Sequence, residues 1–458
     1  MYLVYDARTR GYLARCLADA FLAGVWDERA LVDRADQSLD RRPRWVRGLA
    51  REVLTAYHRP PSDRPRELAR FIALALEQRS ASEHEPESPR VRRWLVPQIA
   101  MGRRRWPVPE LTSVGALAEF LELGHGELAW LADTRGLERT VTDERLRNYR
   151  YLALPRRAGP RRVIESPKAR LKALQRRLLH EILDWIPAHD AAHGFTRGRS
   201  ALSHARQHTG RRVVVRLDLE DFFASIAAAR VYGIFRTAGY PEPVAHTLTG
   251  LTTNVVAQSV WQQVQPPAGP ARIGAHHRLG RRLATPHLPQ GAPTSPALAN
   301  LAAFGLDRRL SGLASAHDLA YSRYADDLTF SGSVRLLREA DRLRATIAAI
   351  AREEGFAINQ QKSILATRAG CQQVCGIVVN EHPNVPRVEY DTLKAILHNL
   401  GRDGPPGAGP PGDPRGTSAG YRAHLLGRIA WVASLNPERG HKLRRRLDAV
   451  SWDEPGQP

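Results

Sequence analysis

The chain has 458 residues, of which 43% are hydrophobic and 25% are charged, so it is long enough for several domains and has the composition of a globular protein. Its formal net charge of +21 and its sequence pI of about 10.7 favour a polyanionic partner, of which nucleic acid is the commonest. Charged residues interrupt every apolar run before it reaches ~18 residues, so we expect no signal peptide, no membrane span and no membrane partner.

Residues 1–110 predict a mostly helical, arginine-rich N-terminal extension. Leu13, Phe21 and Val25 are examples of its apolar positions at helical spacing. A polar stretch at residues 79–90 interrupts the helices, and prolines close the segment. These residues indicate a packed unit but not what it does.

The segment at residues 113–133 predicts two short amphipathic helices around Gly124 and Gly126. A helix-turn-helix DNA reader has this arrangement. A plain packing unit is favoured, because the second helix lacks a polar face that could read bases.

The rest of the chain mixes strands and helices without regular alternation. In chain order the patterns predict two strands joined at 158–160, a helix over about 169–185, a buried strand over 211–223, helices over 227–262, a basic loop over 266–282, a helix after 294, a hairpin over 321–332, a helix over 334–354 and a strand over 371–380. A Pro/Gly-rich stretch at 401–420 predicts a flexible loop in a helical C-terminal region. We therefore predict the α+β class rather than a doubly wound sheet.

Two adjacent aspartates, Asp326 and Asp327, lie in the predicted hairpin YSRYADDLTFSG. A tight turn explains one aspartate but would prefer Asn-Gly or Asp-Gly to a pair of like charges. Burial near aromatic residues would raise the cost of the repulsion unless a cation relieved it. Oxygen ligands of this kind suit Mg²⁺.

A third carboxylate, Asp218, lies inside the apolar run RRVVVRLDLEDFF. An unpaired charge there would be expensive, and an ion pair with an arginine is the simplest explanation. A strand with one aspartate and a hairpin tip with two also match what two-metal phosphoryl transfer requires.

Two further segments carry candidate substrate contacts. In LPQGAPTSP, Ser295 and Pro296 predict a capped helix start, whereas Gln290 and Gly291 provide a small-residue approach to a base or sugar. A basic cluster that includes Arg162 lies around the first two strands. It is either a solvated surface or a clamp for a triphosphate.

Taken in order, these motifs resemble those of bacterial reverse transcriptases, most closely the retron type. The resemblance covers about residues 113–450. Its motifs are GPRRVIESP with LKALQRRLLHEIL, AHGFTRGRSA, RLDLEDFF, LPQGAPTSPALANL, YADDLTFSG, GFAINQQKS, VCGIVVN and GRIAWVASLNPERGHKL. It implies a right-hand polymerase fold, with fingers at 111–205, a palm at 206–380 that carries a fingers-side insertion at about 227–288, and a helical thumb at 381–458.

The resemblance also implies roles for individual residues. Asp218, Asp326 and Asp327 would hold two Mg²⁺ ions, for which Mn²⁺ can substitute, and a loop would carry Lys362 as a general acid. Nucleotide binding is expected of Arg162, Leu219, Phe223, Gln290 and Gly291. The ring of Phe223 would exclude a ribose 2′-OH by collision. Nucleic-acid binding is expected of Lys168, Lys172, Arg176, Arg199, His204, His208, Gly376 and Lys442.

Two motifs depart from the retron pattern. Retron enzymes typically carry Asn-Ala-x-x-His where this chain has His204 and His208, and Val-Thr-Gly where it has Val374-Cys375-Gly376. The departures concern the RNA that is bound rather than the polymerase chemistry.

The expected reaction is RNA-templated DNA synthesis from dNTPs, primed on a structured noncoding RNA. It would give a branched RNA–DNA hybrid and serve antiphage defence, with an effector protein as a further expected partner. The alternative is a non-retron bacterial enzyme, either defence-associated or similar to group II intron enzymes. The interpretation as a group II intron-like enzyme is less favoured, because we expect no endonuclease domain after the thumb. A rival from another class is an RNA-binding scaffold that has lost catalysis. Three cysteines without zinc spacing predict a cytoplasmic protein.

Overall fold

A computed structural model describes residues 7–82, 89–155, 161–403, 418–450 and 452. Its contacts divide the chain into two compact units, residues 1–187 with 223–302 and residues 188–222 with 303–458. The predicted α+β class is confirmed. The division into fingers, palm and thumb stays a prediction. None of the described helices is both long enough and apolar enough to cross a membrane.

The elements are numbered here in chain order. The helices are α1 (Ala7–Phe21), α2 (Glu28–Ser38), α3 (Trp45–Ala56), α4 (Pro65–Ser82), α5 (Val114–Phe120), α6 (His125–Leu131), α7 (Ala169–Glu181), α8 (Ala201–Arg206), α9 (Ala228–Thr237), α10 (Glu242–Thr252), α11 (Gln258–Trp261), α12 (Pro270–Leu283), α13 (Ser295–Ala302), α14 (Phe304–Ala316), α15 (Arg335–Glu353), α16 (Arg387–Asp403), α17 (Ser418–Leu435) and α18 (Pro437–Asp448). The strands are β1 (Tyr149–Leu154), β2 (Arg162–Pro167), β3 (Val213–Leu219), β4 (Ala320–Tyr324), β5 (Asp327–Gly332), β6 (Ile358–Thr367), β7 (Gln373–Val374) and β8 (Ile377–Val378).

In the first unit, helices α1–α4 enclose a core of their own. Leu17, Phe21, Leu49 and Ile72 are examples of its fully buried side chains. This matches the predicted helical extension, but the chain from 89 to 113 then runs without a helix or a longer strand. Helices α5 and α6 pack on α10, as expected of a packing unit.

Strands β1 and β2 form an antiparallel hairpin whose predicted turn at 158–160 lies outside the described residues. The prediction of a basic loop at 266–282 is wrong, because α12 occupies most of it. Pro270 begins this helix, and its apolar residues Leu279 and Leu283 are buried against Val163. The arginines between these two leucines interrupt the apolar pattern, so the sequence did not indicate the helical period. The predicted helical stretch over 227–262 is divided into α9, α10 and α11.

In the second unit, four antiparallel strands form a sheet in the order β4-β5-β3-β6, with α14 and α15 packed against it. The strand predicted over 211–223 ends at Leu219. Strands β7 and β8 form a separate hairpin, and helices α16–α18 enclose another core. Residues 404–417 of the predicted Pro/Gly loop lie outside the described residues.

Candidate active site

The sheet of the second unit brings the three predicted metal-binding aspartates to one end of paired strands. The valine-rich strand β3 is buried almost throughout and carries Asp218, which is 8% exposed. Asp218 lies opposite Asp327 in the β3–β5 register. The backbone N–H of Leu219 donates to the carbonyl of Asp326 at 2.9 Å, which holds the turn against the end of β3.

The turn between β4 and β5 has only two residues outside the ladder, Ala325 and Asp326. Ala325 adopts a positive φ of 54°, a conformation that costs a non-glycine residue energy and persists only where its surroundings impose it. Arg323 supplies part of that support, because its Nη1 donates to the Ala325 carbonyl at 2.9 Å.

Arg323 is itself fully buried and paired with an acid from α14. Its Nε and Nη2 donate to the two carboxylate oxygens of Asp307 at 2.8 and 2.6 Å, and the hydroxyl of Tyr321 donates to the same carboxylate at 2.8 Å. A bidentate pair of this kind fixes position as well as charge. Sequence reasoning missed both residues, since nothing near Asp307 in the sequence marks it as a partner of the hairpin.

Lys362 lies on strand β6 rather than on a loop, which corrects the prediction. Its Nζ donates to Asp218 Oδ1 at 2.7 Å, so the buried aspartate pairs with a lysine and not with an arginine. The Lys362 side chain is about half exposed (52%), so its ammonium also faces solvent. A proton donor therefore lies beside the carboxylates.

Asp327 experiences the crowding of like charges that the sequence suggested. Burial raises the pKa of its carboxyl to about 6, the neighbouring Asp326 and Asp218 add to the shift, and Arg216 and Lys362 oppose it. A nearby cation would stabilise the ionised form of a carboxyl in this environment. Clustered carboxylate oxygens are also the donors that Mg²⁺ prefers, so the residues present fit a divalent ion.

The side chains present do not by themselves form a complete metal-binding site. Within the described ranges, no group of three or more His, Cys, Asp or Glu residues is arranged so that it could hold a metal ion as it stands. The contact of Lys362 with Asp218 already occupies one of the carboxylate oxygens. Mg²⁺ sites often complete their coordination with water and substrate phosphates, so a partial protein site is compatible with the ion.

Comparison with known proteins decides the family. A family model described as "Reverse transcriptase (RNA-dependent DNA polymerase)" matches residues 154–390, which is more than half of the chain and includes all three aspartates. The chain belongs to the reverse transcriptase family. Members of this family generally use divalent metal ions.

Several proteins similar in sequence to this chain are named as retron reverse transcriptases. The retron Mx65 reverse transcriptase of Myxococcus xanthus is 43% identical over 303 residues, 66% of this chain and 65% of that protein. The retron Mx162 reverse transcriptase of the same organism is 35% identical, covering 74% and 67%. The retron Ec86 reverse transcriptase of Escherichia coli is 32% identical, covering 52% and 65%. The chain thus spans about two thirds of these relatives, and the predicted likeness to retron reverse transcriptases is confirmed.

Two residues predicted to bind nucleic acid are instead buried in the protein interior. His204 and His208 are both 0% exposed. His204 pairs with the hydroxyls of Ser322 and Thr329 at 2.7 and 3.3 Å. The prediction that these histidines bind nucleic acid is therefore wrong.

His208 lies in the same polar cluster. Its two ring nitrogens lie 2.8 Å from the hydroxyls of Ser331 and Ser322. Together the two histidines join α8 and the turn after it to strands β4 and β5. The short spacing His-x-x-x-His places one ring on α8 and the other on the turn after it, both directed towards the sheet, so it is not a surface motif.

The other predicted contacts of the second unit differ in exposure. The side chain of Leu219 is buried, so only its backbone could reach a nucleotide. Arg199 forms an ion pair with Asp190 and donates to the Ala192 carbonyl, so its guanidinium already braces its own loop. Gly376, with a φ of 77°, occupies the exposed β7–β8 turn, and Lys442 is exposed on α18.

In the first unit, the Gln290-Gly291 segment lies against β2. The Glu165 N–H donates to the Gln290 carbonyl at 2.8 Å. Gly291 has a φ of 133°, and a Cβ there would come within 2.9 Å of the Glu165 carbonyl. The close approach that the sequence suggested is therefore to the protein's own backbone. Arg162 is exposed at the start of β2, and Phe223 is half-buried.

A buried polar network supports this segment. Glu165 and His287 are both 1% exposed and lie 2.9 Å apart, and Asn254 donates to the other Glu165 oxygen at 2.7 Å. Burial opposes a charge on His287, but the Glu165 carboxylate outweighs it and raises the pKa of the histidine. The network joins β2 to the chain just before Gln290.

The basic residues around α7 are not equivalent. The ammonium of Lys168 donates to the carbonyls of Glu144 and Arg145 at 2.7 and 3.0 Å, so it holds a loop. Lys172 is half-buried and Arg176 is exposed. Of the three, Arg176 is the most accessible to a nucleic acid.

Proposed function

We propose that this chain is an RNA-directed DNA polymerase of the retron type. The observation that carries the proposal is the placement of Asp218, Asp326 and Asp327 at one end of the β3–β5 pair, with Lys362 bonded to the first of them. Three carboxylates and an adjacent proton donor are the groups that nucleotidyl transfer needs.

The three aspartates would hold two Mg²⁺ ions, for which Mn²⁺ could substitute. The ions, when bound, would neutralise phosphate charge and activate the primer hydroxyl. Lys362 would donate a proton to the departing pyrophosphate, and its half-exposed position leaves the ammonium accessible from solvent. Asp326 is expected to be indispensable, whereas Asp327 contributes as a ligand and by holding the turn.

Substrate contacts in the first unit complete the proposal. Arg162 would bind the triphosphate of a dNTP, and Gln290 with Gly291 would lie against the nucleotide or template. Phe223 would reject a ribose by collision with its 2′-OH, which favours DNA synthesis. Arg176, Gly376 and Lys442 are exposed and would contact the RNA template or the RNA–DNA hybrid.

The relatives named as retron enzymes support a retron role for this chain. Its template and primer would be a structured noncoding RNA, its product a branched, RNA-linked single-stranded DNA, and its setting cytoplasmic antiphage defence with an effector protein. The alternative within the family is a non-retron enzyme with different priming. An inactive RNA-binding scaffold would be expected to have lost a metal ligand, and all three aspartates are present.

Primer extension on an RNA template with Mg²⁺ and dNTPs tests the activity. Asp326→Ala should lower the rate by at least about 100-fold, since the metals contribute several kcal/mol of transition-state stabilisation. Asp341→Ala is a matched control, because that carboxylate is 99% exposed on α15 of the same unit. Equal synthesis by the wild type and Asp326→Ala would exclude the catalytic proposal.

A further inference from the structure

The N-terminal extension carries a basic surface built from two segments, residues 36–44 and 90–94, hereafter the arginine surface. The segments lie side by side, because Leu39 and Val91 form an antiparallel bridge and the Arg92 N–H donates to the Ser38 carbonyl at 2.8 Å. They contain six arginines and two aspartates. The surface is therefore strongly cationic.

Its two acids are already engaged. Asp36 pairs with Arg42 at 3.1 Å, and Asp40 accepts the backbone N–H of Arg90 at 2.9 Å. In the part of the chain that the structure describes, the exposed side chains of Arg41, Arg92 and Arg93 have neither a hydrogen bond nor an ion pair. Glu83, Glu85 and Glu87 precede the second segment in the sequence and lie outside the described residues.

An exposed aromatic pair adjoins these arginines. Trp94 follows Arg93 directly and is 39% exposed, and Tyr12 of α1 is 48% exposed. Their rings meet edge to face, with centroids 5.1 Å apart. The indole N–H of Trp94 donates to Asp19 Oδ2 at 2.7 Å, which fixes the ring, and the exposed Arg15 lies one turn beyond Tyr12.

Fixed aromatic rings beside unpaired guanidinium groups are the combination by which proteins bind single-stranded nucleic acid, since the rings stack on bases and the cations follow the backbone. A duplex would use only the cations. An apolar protein partner would have to desolvate several charges at this surface.

We propose that Tyr12, Trp94, Arg92 and Arg93 bind a single-stranded stretch of nucleic acid. The site goes beyond the proposed polymerase function, because none of these residues is among those assigned to catalysis or nucleotide binding. Its chemistry does not separate RNA from DNA, since stacking and phosphate contacts are common to both.

The test is equilibrium binding of a short fluorescein-labelled single strand, as RNA and as DNA of the same sequence, to the full chain without dNTPs. For Arg92→Ala/Arg93→Ala, the slope of log K against log salt concentration should be shallower by about 1.4, since each phosphate contact on a single strand contributes about 0.7. Tyr12→Ala should weaken binding at least about fivefold, while Tyr12→Phe, which keeps the ring, should bind like the wild type.

Two controls guard against trivial explanations. Arg29→Ala/Arg59→Ala removes two exposed arginines of the same extension outside the arginine surface. An equal loss in this control would attribute the effect to general charge and overturn the proposal. Thermal unfolding of each variant would detect misfolding, and crosslinking of 4-thiouridine RNA to the Asp326→Ala chain should mark a peptide containing Tyr12 or Trp94.

The outcomes separate this site from the polymerase. Primer extension on a short template should proceed at the wild-type rate in Arg92→Ala/Arg93→Ala, and binding should persist in Asp326→Ala. Unchanged affinity and salt slope in the arginine-surface variants would overturn the proposal whatever the polymerase result. Intact nucleic-acid binding with loss of a co-purifying protein would overturn it in favour of a protein partner.

Discussion

Ala325 shows how a single strained residue is held at the candidate active site. Its positive φ is imposed by contacts on both sides, with Arg323 bonded to its carbonyl and Gly194 packed against its N–H. A Cβ built on Gly194 would lie 2.7 Å from the Ala325 nitrogen, well inside van der Waals contact. The glycine therefore determines where the turn, and with it Asp326, can lie.

We expect Gly194→Ala to move the turn and to lower kcat by about 10- to 100-fold, because displacements of about 1 Å in a catalytic group cost this much. The measurement is steady-state primer extension, with affinity for the RNA template determined in parallel. Gly312→Ala on α14 is the matched control. A Cβ there meets nothing within 4 Å, and the change should stabilise the helix by about 0.5–1 kcal/mol. Wild-type kcat in Gly194→Ala would show that the turn tolerates the shift.

At the scale of elements, the β4–β5 hairpin is fastened to α8 by the two buried histidines. Burial lowers the pKa of His204 to about 3, and the nearby His193, Arg216 and Arg323 contribute in the same direction. Burial likewise lowers the pKa of His208 well below its usual value. Both rings are therefore neutral hydrogen-bonding groups in the folded protein.

This arrangement predicts acid destabilisation. A histidine with a depressed folded pKa binds protons more readily when unfolded, so its contribution is complete above about pH 6.5 and is lost as the pH falls below that value. Between pH 7 and pH 5, His204 alone should remove about 2 kcal/mol from the free energy of unfolding.

Urea unfolding at the two pH values measures the effect, and His204→Asn should reduce the loss by that amount. His441→Asn, at an exposed position on α18, is the matched control. A pH dependence identical in wild type and His204→Asn would contradict the assignment of His204 as a buried neutral group.

What the sequence could predict at this scale follows from the range of the interactions. The run Val213–Leu219, the hairpin and helix α15 were predicted to within a few residues, because alternation and helical period are local patterns. Asp218, Asp326 and Asp327 were likewise recognisable as a group from their charge within apolar surroundings. The position of Lys362 on a strand was not, since β6 is defined by pairing with β3.

The remaining errors involve partners distant in the sequence. The burial of His204 depends on Ser322 and Thr329, more than one hundred residues away. The pair of Arg323 with Asp307 depends on how α14 packs beside β4. Neither contact produces a periodic pattern in the neighbouring sequence, so both can be recognised only in the folded structure.

At the scale of the whole molecule, the carboxylate site does not distinguish a retron enzyme from other bacterial reverse transcriptases, because the proposed role of the three aspartates in polymerisation would be the same in both. The family match ends at residue 390 and begins at residue 154, so the N-terminal extension and helices α17 and α18 lie outside it. The net charge of +21 predicts that the chain retains its nucleic acid during purification at low salt. The nucleic acid that co-purifies with the chain would therefore show how DNA synthesis is primed.

We expect the wild-type chain, expressed with its neighbouring noncoding DNA, to co-purify with a branched RNA–DNA molecule. RNase should leave a DNA strand with a short RNA remnant, and a 2′,5′-debranching enzyme should shift its mobility on a denaturing gel, because priming from an internal 2′-OH leaves that linkage. Asp326→Ala should retain RNA but no DNA, and Asp341→Ala should behave as the wild type. Efficient extension of a supplied primer by a chain that carries no debranching-sensitive DNA would instead favour the non-retron alternative. RNA without DNA in both the wild type and Asp326→Ala, together with no extension, would favour the scaffold.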